Sequence, residues 1–115
     1  MANTFKQISK AGVTSADVIY TVAGSTTTVV LGLIIGNTQS SDITVTLTLS
    51  TDTGSRSGAN NEDNQPVELL TSTTIPANSS LELLAGNKIV LETTDVINFT
   101  ASAAADISIS VMEIT

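Results

Sequence analysis

The 115-residue sequence predicts an all-β fold: an antiparallel β-sandwich of the jelly-roll or Ig-like kind with about eight or nine strands. Three observations carry this expectation. Aliphatic and hydroxyl side chains alternate with a period of two in several segments. Serine and threonine make up roughly three residues in ten, whereas Glu, Lys, Gln and Arg are scarce and no segment holds a 3.6-residue apolar stripe. Turn-forming residues recur about every ten positions, the spacing of short strands in a sandwich or barrel.

Taken in order, residues 4–9 form a candidate first strand, and residues 17–23 (DVIYTVA) a second, closed by a turn at Gly24-Ser25. Residues 28–37 read TVVLGLIIGN and are apolar on both sides. That suits a central strand covered on both faces or a strand at a subunit contact, with Gly32 marking a bulge or a close backbone approach. In the next segment Ile43, Val45, Leu47 and Leu49 alternate with Thr44, Thr46, Thr48 and Ser50, so one face is aliphatic and the other carries hydroxyls.

Residues 52–66 (DTGSRSGANNEDNQP) are polar and rich in Gly, Asn and Asp, and read as a long loop. Strands follow over 67–75 and 80–84, a turn at Ala85-Gly86-Asn87, then strands over 88–92 and 96–101. In the last strand Ile107, Ile109 and Val111 alternate with Ser108 and Ser110 until Met112 breaks the pattern. The domain expectation is an N-terminal arm or first strand at 1–16 and a sandwich domain at 17–115, with the polar loop at 52–66 inside it.

Composition narrows the chemistry. The chain has no Cys, His or Trp, so disulfides, thiolate metal sites and Ser-His-Asp catalysis are unavailable. The net charge is −7, and the four basic residues, Lys6, Lys10, Arg56 and Lys88, are dispersed. This disfavours nucleic acid and anionic membrane surfaces as partners. Residues 1–12 carry no apolar signal core, and the longest apolar stretch, 29–35, is short of the ~20 residues of a membrane helix.

The acidic residues are the candidate ligands and catalysts. Asp52, Glu62 and Asp63 in the polar loop lack EF-hand spacing, because Gly54 and Arg56 stand where ligand oxygens belong. Glu82, Glu92 and Asp95 are the carboxylates available for acid–base work, but no aromatic platform for a sugar accompanies them. Asp95 after Thr93-Thr94 fits a turn-fixing acceptor of backbone N–H groups. Asn78-Ser79-Ser80 and Asn98-Phe99-Thr100 match the glycosylation pattern by chance in a Ser/Thr-rich chain. No catalytic residue, cofactor or metal is therefore expected. Phe5 and Tyr20 are candidate interface anchors, since aromatics are enriched at interface cores, although capping the core is the simpler place for them; Arg56 is a third candidate.

A longer pattern runs through the C-terminal half. The turn Ile75-Pro76-Ala77-Asn78-Ser79-Ser80 leads to Leu83-Leu84, then Gly86-Asn87-Lys88-Ile89-Val90-Leu91-Glu92, then Asp95. Small residues follow from Ala101 to Ala105, and the last strand ends Val111-Met112-Glu113-Ile114. Upstream, Val18-Ile19-Tyr20-Thr21-Val22 and Asn37 fit the same order. The arrangement resembles small virion structural proteins of tailed bacteriophages over about residues 17–114.

The resemblance implies a non-enzymatic virion protein, first of all a capsid decoration or cement protein that binds across neighbouring subunits of the major capsid protein. It also implies a homo-oligomer (trimer or dimer) and a virion location after assembly in the host cytoplasm. A tail, neck or baseplate component would share these features. A carbohydrate-binding or adhesive sandwich is the rival from another class, and it lacks the stacking aromatic it would need.

Overall fold

Residues two apart in a strand share a face, so Ile43, Val45 and Leu47 must enter the core together. The structure, a computed structural model describing residues 2–50, 66–84 and 88–115, buries all three to 2% exposure or less. Among the described residues there are nine strands and no helix. The strands are β1 (Asn3–Val13), β2 (Asp17–Thr21), β3 (Thr27–Asn37), β4 (Ile43–Ser50), β5 (Pro66–Ile75), β6 (Ser80–Leu83), β7 (Ile89–Leu91), β8 (Val96–Ala101) and β9 (Ala105–Ile114).

They form two antiparallel sheets packed as a sandwich. The first runs β1-β9-β3, with β6 and β7 sharing the far edge of β3; the second runs β2-β8-β4-β5. The pairings are nested: β4 with β5, β3 with β6 and β7, β2 with β8, and β1 with β9. A long two-stranded ribbon wound on itself gives this order, which is that of a jelly roll.

Two strands run further than their patterns suggest. β1 pairs with β9 from Asn3 opposite Ile114 to Lys10 opposite Ile107, then bulges at Gly12. Gly12 has φ +68, a conformation glycine adopts without strain, and its N–H donates to Asp106 Oδ1 at 2.9 Å. Met112 does not end β9, because the alternation continues to Ile114 with Met112 turned outward. The polar stretch 52–66, apart from Pro66, and the turn at 85–87 lie outside the described residues.

The apolar run of β3 resolves into two faces through a bulge. Val30 pairs with Val111 and Gly32 with Ser110, so β3 carries one residue more than β9 between those pairs. The extra residue flips the parity. Thr28 and Val30 before it, and Leu33, Ile35 and Asn37 after it, all face inward and are buried.

Phe99 at 0% exposure sits among Leu33, Leu47, Ile109 and other aliphatics in one core cluster between the sheets. With so few aromatic side chains in the chain, the core is filled chiefly by β-branched residues and Leu, which suit the pleated surface that surrounds them.

Buried polar groups close the two ends. At one, Asn37 Nδ2 lies 3.0 Å from the carbonyl oxygens of Ser41, Ile75 and Pro76, and its Oδ1 accepts the Gln39 N–H at 2.8 Å. One side chain thus ties β3 to the ends of two loops. At the other end, Asp95 Oδ2 accepts the Glu92 N–H at 2.9 Å, which fixes the turn between β7 and β8. Asn37→Ala is expected to cost about 1–3 kcal/mol, because it leaves the buried Ile75 carbonyl without its donor and unties the exposed Ser41 and Pro76 carbonyls from β3. Urea unfolding should show a lower midpoint at unchanged slope; a loss under about 0.5 kcal/mol would contradict the assigned role.

Candidate functional site

The two sheets present different outer faces. On the second sheet, Thr44, Thr46, Thr48 and Ser50 of β4 lie beside Asn98 and Thr100 of β8 and Thr74 and Glu68 of β5. Water solvates such a face at little cost. The first sheet differs. Phe5, Met112, Val29 and Val90 are successive cross-strand partners on β1, β9, β3 and β7 and form one transverse row. Phe5 is 72% exposed and Val90 59%, with Met112 and Val29 half-buried between them.

Beyond this row along the strands, the side chains become small. The next row is Gln7, Ser110 and Gly32, and the one after is Ser9, Ser108, Ile34 and Glu82. The surface sinks there into two shallow depressions. One, of about 480 Å³, is bordered by Ser9, Ala11, Gly36 and Ser108; the other, of about 360 Å³, by Gly32, Ile34, Glu82 and Ser110. The outer face of the first sheet therefore consists of an apolar ridge beside a shallow hollow lined by small residues. Ile34, at 47% exposure, adds a further apolar side chain at the hollow's edge. Contiguous exposed apolar surface on a small domain marks contact with another molecule more often than scattered single residues do.

The candidate residues from the sequence fall in different places. Phe5 stands at the β1 end of the ridge. Tyr20 is 8% exposed and faces the core, with its hydroxyl within the chain; Arg56 lies outside the described residues, as do Asp52, Glu62 and Asp63. Glu82 stands opposite Ile34, and Glu92 follows Leu91, which stands opposite Thr28. Six residues of β3 at roughly 3.3 Å each put these two acids about 20 Å apart. A glycosidase pair needs about 5–9.5 Å. Asp95 is buried at the turn described above. Among the described residues, no three acidic side chains come together as a metal cluster.

The chain matches no protein-family model, no curated protein and no solved structure.

The sequence pattern did not single out Met112, Val29 and Val90. Their signal was present: each puts an apolar residue at a position where the alternation of this chain otherwise sets a hydroxyl. Only the register shows that they line up.

Behind the ridge, on the inner side of the same sheet, a polar clasp joins the two sheets. The Tyr20 hydroxyl donates to Glu113 Oε2 at 2.5 Å and lies 2.8 Å from Thr28 Oγ1, while Lys6 Nζ pairs with Glu113 Oε1 at 2.9 Å. Burial, and then the bond to Glu113, pushes the Tyr20 hydroxyl up to about 12 from its ordinary 10.0. The hydrogen bonds from Tyr20 and then Lys6 hold the Glu113 carboxyl below its ordinary value.

Opposite pH dependences follow. The stability from Glu113 is complete above the carboxyl's unfolded-state pKa and is lost as pH falls through the lower folded-state value. That from Tyr20 is complete below pH 10.0 and is lost as pH rises toward 12. Tyr20 is the single tyrosine, so tyrosinate absorbance reports it directly. The expected midpoint is about 12, and Glu113→Gln should bring it part of the way down. A wild-type midpoint near 10.0 would show that the clasp does not form.

Proposed function

We propose that this chain is a non-enzymatic structural protein of a virion, and in the first instance a capsid decoration or cement protein that binds across neighbouring subunits of the shell. The apolar ridge of Phe5, Met112, Val29 and Val90 carries the reading, because it is a surface suited to contact with another subunit of an assembly, a copy of this chain included, and it sits on a rigid sheet. The order of turns and strands from Val18 to Ile114 supports it through the resemblance to phage virion proteins. The jelly roll is compatible with it, since capsid domains use that architecture, although lectins and cupins do too and a fold alone does not assign a role.

The mechanism is mass action. A protein that binds only the assembled shell stabilises that state by RT ln(1 + [L]/Kd), and no chemical step is needed. A net charge of −7 keeps many copies soluble before they dock. Self-association into a dimer or trimer belongs to the same reading, because closed symmetry lets one small protein engage several equivalent sites.

Particles lacking the chain provide the test. Added protein is expected to co-sediment with intact shells but not with free shell subunits, and to raise the temperature at which the shells release their contents. Binding only to isolated tails would move the role to the tail, neck or baseplate. No binding to any particle component, together with specific capture on a glycan array, would replace the proposal with an adhesive module.

A further inference from the structure

We propose that the outer face of the first sheet docks onto the same face of a second copy of this chain, with a two-fold axis passing through the row of Gln7, Ser110 and Gly32. The proposal rests on the protein-contact part of the reading above and names the occupant of that surface.

Shape favours this arrangement. The axis row lies midway between the ridge and the hollow. A half-turn about an in-plane axis along it exchanges them: Phe5 and Met112 of each copy come over the Ser9 and Ser108 region of the other, and Val29 over Ile34. The contact is isologous, so every knob that enters the partner's hollow is matched by one received.

Glycine placement agrees with it. Gly32 and Gly36 lie on this face within β3, and neither has a positive φ. A Cβ on Gly32 would meet nothing within 4 Å, and one on Gly36 would meet only the Asp106 carbonyl oxygen at 3.9 Å. Gly32 adjoins the β3 bulge, but the folded chain gives no steric reason for Gly36, and a mid-strand glycine costs roughly 0.5–1 kcal/mol relative to Ala. Glycines of this kind occur where another backbone approaches closely. The axis row and the hollow are where the partner comes nearest.

Charge permits the contact. Two copies of a chain of net charge −7 repel unless their contact is free of like charges. The three central rows hold no charged residue on β1, β9 or β3. Glu82, at the β6 edge, and Asp106, in the row of Gly36, are the acids that border the hollow, and Lys10 lines it beside Asp106.

The area is adequate as well. Four strands at about 4.8 Å spacing and about eight residues of length at 3.3 Å give a flat footprint on the order of 500 Å². Two copies then bury on the order of 1,000 Å² together, the lower end of specific interfaces. A two-fold dimer also presents two identical ends, which suits a protein that bridges neighbouring subunits.

Sedimentation velocity on the full chain between about 5 and 200 µM is the test, a range that covers micromolar dissociation constants. A concentration-dependent monomer–dimer equilibrium is expected. Phe5→Ser and Val90→Glu, which sets a second carboxylate against Glu82 of the other copy, should each weaken it at least tenfold, while Thr100→Lys on the opposite sheet leaves it unchanged. Gly36→Thr separates folding from docking. At concentrations where all variants are monomers, it should melt at or above the wild-type temperature, yet it should fail to dimerise.

A wild-type chain that stays monomeric throughout, or a dimer that survives all three of these substitutions on the ridge and hollow, overturns the inference. Shell binding by a strictly monomeric chain removes the dimer and leaves the proposed function; a dimer that ignores every particle component does the reverse.

Discussion

The architecture depends on one extra residue in β3. Between the pair Val30–Val111 and the pair Gly32–Ser110, β3 advances two positions while β9 advances one. Without that step the period of two would send either Thr28 and Val30 or Leu33 and Ile35 to the outside. With it, both groups face the core, and β3 can accept β9 on one edge and β6 and β7 on the other. The same step turns Gly32 outward and places Val29 in the ridge. Core and surface are thus set by the same irregularity.

The sandwich is polar at its seams and apolar at its centre. The clasp of Tyr20, Glu113, Thr28 and Lys6 reaches from β2 in one sheet to β9, β3 and β1 in the other. Asn37 does similar work at the opposite end, through carbonyls of two loops. Aliphatic packing is non-directional and tolerates small slides between sheets, whereas these hydrogen bonds do not. They select one alignment of the layers from the several that the aliphatic core alone would accept.

Local patterns were readable in the sequence and long-range ones were not. The faces of β4 and β9 followed from simple alternation. Asp95 was recognisable as a turn residue because its partner, Glu92, is only three positions away. The partners of Asn37 include Ile75 and Pro76, and that of Tyr20 is Glu113; no local pattern connects them. The run TVVLGLIIGN was ambiguous for a physical reason, since the bulge changes which parity points inward midway along it. The ridge escaped notice because four residues from four strands become neighbours only once the register is known.

β9 has one more consequence, for the order in which the molecule can assemble. It lies between β1 and β3, so the earliest strand has no neighbour in its sheet until the ninth has been made. A growing polypeptide holds the β1 backbone and one edge of β3 unsatisfied through most of its synthesis. Pairings between such distant segments form slowly, and open edges invite association with other nascent chains. The two lysines on β1, Lys6 and Lys10, place like charges along that waiting strand and oppose its stacking on a copy of itself. They therefore guard the chain during the interval before the sheet closes.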